Sequence, residues 1–160
     1  MTRKIASILI AFFVISIAHS AKSQEHMQYS VLAIEYIGES DKPITPIVIS
    51  DSGAGAEWYR TVVLKRSELQ LTSVHVVSAS LLEKLVADAE LWHGAAQREQ
   101  GKNPKSPEAV SVTVVTPQSK NTFSYDTKSA ISLLDALQKC CKHNESLRSD
   151  LSHFQSRIRP

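Results

Sequence analysis

From Gln28 to Ile37 (QYSVLAIEYI) β-branched and aromatic residues run without a helical stripe and stop at Gly38, which predicts a strand. Ile44–Ser50 (ITPIVIS) predicts a second, and Pro46 places it toward a sheet edge because proline cannot donate to the ladder. Asp51–Ala56 (DSGAGA) reads as a small-residue loop. Glu57–Leu64 (EWYRTVVL) then reads as a third strand, making residues 44–64 a hairpin. In Leu71–Val77 (LTSVHVV), a fourth strand, alternation sets Leu71, Ser73, His75 and Val77 on one face and Thr72, Val74 and Val76 on the other.

The period changes at Ser80. Ser80 and Glu83 have capping-box spacing, and Leu81, Leu82, Leu85, Val86, Ala89 and Trp92 follow at helical intervals. Lys102–Pro107 is a connector. Ala109–Thr116 alternates Val110, Val112 and Val114 against Ser111 and Thr113, and Thr122–Tyr125 returns as its partner strand. Asp126 or Thr127 then caps a helix. Strands and helices in blocks imply an α+β fold. We expect a mostly antiparallel sheet of about six strands, ordered β-β-β-β-α-β-β-α, covered by two helices, the last long and amphipathic.

In that last helix Ala130, Leu133, Leu137, Cys140, Asn144, Leu147, Leu151, Phe154 and Ile158 fall on one seam at alternating spacings of three and four. The seam serves either the protein's own core or a partner. If the core closes by residue 142, then Leu147, Leu151, Phe154 and Ile158 form an exposed stripe for a protein partner or a homodimer. Cys140 would lie on that seam, within reach of a partner's thiol.

The N-terminus changes the composition arithmetic. Arg3 and Lys4 precede the apolar run Ile5–Ala18, whose 14 residues are too few for the roughly 20 that span a bilayer and suit a secretory signal. Ala18-His19-Ser20 offers a cleavage site, so export to a periplasm or the exterior is expected, with no stable membrane anchor afterwards. The formal charge of the whole chain is +2, but residues 1–20 carry two basic and no acidic residues, which leaves 16 of each. A global basic field for nucleic acid is therefore absent. The remaining asymmetry is local, a net +3 over Lys139–Pro160. The expected organisation is a signal at 1–20, a leader at 21–27, one domain at 28–142, and the distal helix at 143–160.

Candidate chemistry is sparse. Cys140 and Cys141 are adjacent and cannot bridge each other in a helix, so no disulfide scaffold is expected. His26, His75, His93, His143 and His153 lack zinc-helix spacing, and Cys140-Cys141-Lys142-His143 has no second ligand pair, so no metal is expected. Gly53-Ala54-Gly55 begins a nucleotide fingerprint, but Trp58 stands where the third glycine belongs, so no cofactor is expected. Ser52 lacks the nucleophile-elbow frame. His75 in a half-buried strand reads as a hydrogen-bonded core histidine. The sequence thus points to a small exported binding protein without enzymatic activity. The alternative is a small extracytoplasmic enzyme whose dispersed site joins His75 to the Asp51–Trp58 loop.

Overall fold

The fold is described from a computed structural model covering residues 29–39, 43–66, 71–100 and 107–159, with the backbone alone for 96–100. The expected signal, the leader and most of the Lys102–Pro107 connector lie outside the described residues. The protein is α+β: a five-stranded mixed sheet with four α-helices. The strands are β1 (Val31–Tyr36), β2 (Ile47–Ser50), β3 (Ser73–Val76), β4 (Glu108–Val115) and β5 (Lys120–Asp126), in spatial order β3-β2-β1-β4-β5. The helices are α1 (Gly53–Trp58), α2 (Ala79–Gln100), α3 (Thr127–Cys140) and α4 (Glu145–Ile158).

Antiparallel pairing joins β1 to β2, β1 to β4 and β4 to β5, whereas β3 lies parallel to β2. That parallel pair explains the largest departure from the sequence pattern. Parallel neighbours need a crossover rather than a hairpin, and residues 53–63 supply it as α1 followed by a π-helical turn, Tyr59–Val63, in place of the expected third strand. Leu64 N–H donates to Tyr59 C=O at 2.9 Å, closing the wider turn. Tertiary packing outweighs the strand preference of Thr61, Val62 and Val63: Ala56 and Tyr59 are buried against Val31, Ala33, Val48 and Val115.

Gly55 belongs to this contact. A Cβ there would stand 2.5 Å from Tyr29 Cβ and 2.8 Å from Ser50 Oγ, so the glycine lets α1 lie close on the strands.

The other face of the sheet carries the main core. Leu32, Ile34, Ile47, Ile49, Val110, Val112 and Val114 face Leu82, Leu85 and Ala89 of α2 and Leu133, Leu134 and Leu137 of α3. Ser78 caps α2, its Oγ accepting from Leu81 N–H at 3.3 Å, so the helix starts just before the expected Ser80. Asp126 caps α3 as its sequence position implies, accepting from Ser129 N–H at 2.7 Å.

The expected single C-terminal helix is two helices. Asn144, read as a polar position on a continuous seam, instead caps α4, its Oδ1 accepting from Leu147 N–H at 3.1 Å. The chain folds back there, and Gln155 of α4 binds Ile131 C=O, Asp135 and Gln138 of α3. Leu147, Leu151, Phe154 and Ile158 consequently enter the main core with no more than 6% exposure. The exposed stripe expected from the seam is not present in this fold, because the core closes only when α4 is in place.

Candidate functional site

β3 is one edge of the sheet. Ser73 N–H donates to Pro46 C=O and Val77 N–H to Ser50 C=O, each at 2.9 Å, so by strand alternation residues 73, 75 and 77 direct their backbone groups to β2. The N–H and C=O of Val74 and Val76 then point away from the sheet, with no neighbouring strand among the described residues. Their side chains are 41% and 56% exposed. The opposite edge differs: β5 begins at Lys120 and ends at Asp126, and its Asn121 and Thr122 are exposed. Such charges discourage edge pairing, and β3 (SVHV) contains none, nor a proline or bulge.

Ser73 and His75 point inward from β3 to α4. Ser73 Oγ donates a hydrogen bond to Asp150 Oδ2, and His75 Nε2 lies 2.9 Å from the same oxygen and 3.0 Å from Ser73 Oγ. A ring nitrogen at that distance from a carboxylate oxygen must carry a proton, since two facing acceptors would repel. Burial pushes the Asp150 carboxyl up, but the hydrogen bonds from Ser73 and His75, with the charges of His75 and His153, outweigh it and hold the group below the usual aspartate range.

Although the residue types are those of a hydrolytic triad, the wiring differs. A triad needs a base nitrogen free to take the serine proton and the acid on the other nitrogen. Here Ser73 already donates to the carboxylate, and serine and acid meet at one protonated nitrogen. The arrangement fastens α4 to the sheet edge.

At the Ser73 end of β3 a cavity of about 150 Å³ opens beside this cluster. Ile44, Ile47 and Phe154 form its apolar part, and Thr45, Ser73, Asp150, His153 and Arg157 its polar part. No polar partner engages the Arg157 guanidinium among the described residues.

The other expected positions are dispersed. His75 is buried and hydrogen-bonded on the face bearing α4, as its place in the strand pattern implies. The Asp51–Trp58 segment leads into α1, which packs on the opposite face with Val48 and Tyr59, whereas His75 faces α4. Asp51 accepts from Ser30 N–H at 3.2 Å and borders a separate cavity of about 230 Å³ under α2.

Cys140 donates to Asp88 Oδ2 at 2.9 Å; that hydrogen bond, with burial and the Asp88 charge, raises the thiol pKa above its ordinary value. A bridge between Cys140 residues of two copies would have to break this bond. Cys141 is buried, which pushes its thiol to about 11. Among the described residues no three His, Cys, Asp or Glu side chains converge as metal ligands, and no helix is long and apolar enough to cross a membrane.

The Ser73–His75–Asp150 cluster escaped the sequence reading because Asp150 lies 75 positions from His75. Only the shared face of Ser73 and His75 was legible. No known protein family, curated protein or solved structure matches this chain.

Proposed function

We propose that this is an exported, non-enzymatic binding protein that takes an extended segment of a partner polypeptide onto β3 as a sixth strand. The observation that carries the reading is the pair Val74 and Val76, with outward backbone groups and exposed side chains on an uncharged edge. An added strand gains affinity from main-chain hydrogen bonds and apolar contact from alternate side chains. The Ser73–His75–Asp150 cluster supports it by holding the edge rigid against α4, which lowers the ordering cost of binding. Export rests on the charged and apolar start of the chain.

The test is binding to an array of random decapeptides. Amide exchange should slow at Val74 and Val76 when a bound peptide is present. Val76→Pro, which removes an outward donor and none from the β2 ladder, should abolish binding while the melting temperature stays within a few degrees. Retained binding by that variant, or unchanged exchange at both amides, overturns the reading.

A further inference from the structure

We infer that the segment taken up by β3 is the C-terminal end of a polypeptide, held by its free carboxylate at Arg157 and His153. This deepens the β3 reading and rests on it.

The direction of β3 and the position of the cavity lead to this occupant. β3 runs from Ser73 to Val76, and the cavity of about 150 Å³ includes Ser73 but neither Val74 nor Val76, so it lies at the beginning of the strand. A peptide paired antiparallel to β3 exchanges main-chain bonds with Val76 and then Val74 and finishes beside Ser73. Its C-terminus, and no other part, arrives at the cavity.

Charge at that end suits a carboxylate. Arg157 and His153 are exposed on α4, one helical turn apart, and both border the cavity. A guanidinium matches a carboxylate in a two-pronged hydrogen bond. Asp150 puts a negative charge in the same cavity, but its Oδ2 is already hydrogen-bonded by Ser73 and His75. Two basic side chains therefore face the incoming group against one engaged carboxylate. Parallel addition would instead bring a free amine to the cavity, where only Asp150 could meet it.

The apolar part sets a preference for the last residue. Ile44, Ile47 and Phe154 form one wall of the cavity of about 150 Å³, the rest of which is polar. A terminal valine, leucine or isoleucine sets its side chain against that wall, whereas a terminal lysine or aspartate would place a charge against Phe154.

The experiment uses the mature chain and two arrays of the same random decapeptides, all acetylated at the N-terminus, one with free C-terminal carboxylates and one with amides. Free-acid peptides ending in an aliphatic residue should bind at least tenfold more tightly than their amides. Arg157→Gln, at an exposed position, should remove that difference while leaving the melting temperature unchanged; Arg157→Lys should restore part of it. Equal binding of acids and amides, with Val76→Pro still abolishing both, overturns carboxylate capture and leaves strand addition standing. Binding by neither array overturns both.

Discussion

His75 Nε2 lies 2.9 Å from Asp150 Oδ2, and this contact joins the edge strand to the last helix. Residues 75 positions apart are thereby held as one unit, with Ser73 completing the link. The contact orients α4 so that Arg157 and His153 border the same cavity as Ser73.

Loss of that link should weaken the fold in a pH-dependent way. Asp150→Asn is expected to cost about 1 kcal/mol at pH 7, a charged hydrogen bond discounted for partial exposure. Because the native carboxyl titrates below its unfolded value, its contribution is complete above about pH 4 and fades as pH falls further. Urea unfolding of wild type and variant should differ at pH 7 and converge as the pH falls through the titration of the native carboxyl.

A chain ending at Lys142 should not fold. It lacks Leu147, Leu151, Phe154 and Ile158, all buried in the main core. Burial of each contributes about 1.5 to 3 kcal/mol, and a domain's whole stability is about 5 to 15 kcal/mol. Circular dichroism of the truncated chain should show no cooperative thermal transition; a native-like melt would assign α4 to an appendage.

Two glycines should respond to alanine with opposite signs. Gly55→Ala places a methyl against Tyr29 and Ser50 and should destabilise by about 1 to 3 kcal/mol through overpacking. Gly94 lies within α2 with nothing inside 4 Å of an added Cβ. Gly94→Ala should stabilise by about 0.5 to 1 kcal/mol through helix propensity. Thermal melts of both variants check the pair.

Cys140 should react slowly with alkylating reagents at pH 8, since the hydrogen bond to Asp88 favours the neutral thiol. Asp88→Ala should lower the thiol pKa and speed iodoacetamide labelling several-fold, measured in a Cys141→Ala background. An unchanged rate would show that Asp88 does not control the thiol. Non-reducing electrophoresis of the same samples reads whether Cys140 links two copies.

Much of the fold was legible locally. The alternation of Val110, Val112 and Val114 located β4, the helical spacing of Leu82, Leu85 and Ala89 located α2, and Asp126 marked the start of α3. The α1 and π-turn segment was not, because Thr61, Val62 and Val63 favour strand on propensity. What overrides them is the packing of Ala56 and Tyr59 on β1 and β2, a contact between distant parts of the chain. The candidate site was legible in part: alternation separated Ser73 and His75 from Val74 and Val76, but it carried no information on which side of β2 the strand would lie.

The sequence by itself determined the α+β class, the separation of Ser73 and His75 from Val74 and Val76 on two faces of β3, and the charge balance left after residues 1–20. Side-chain period and composition are properties of neighbouring residues, so they survive without knowledge of the fold. Only the tertiary structure decided that β3 is an edge, that Asn144 breaks the seam into two helices, and that Asp150 meets Ser73 and His75. Each depends on which distant segment satisfies a backbone or side-chain hydrogen bond. A local pattern names the groups needing partners, and folding selects the partners.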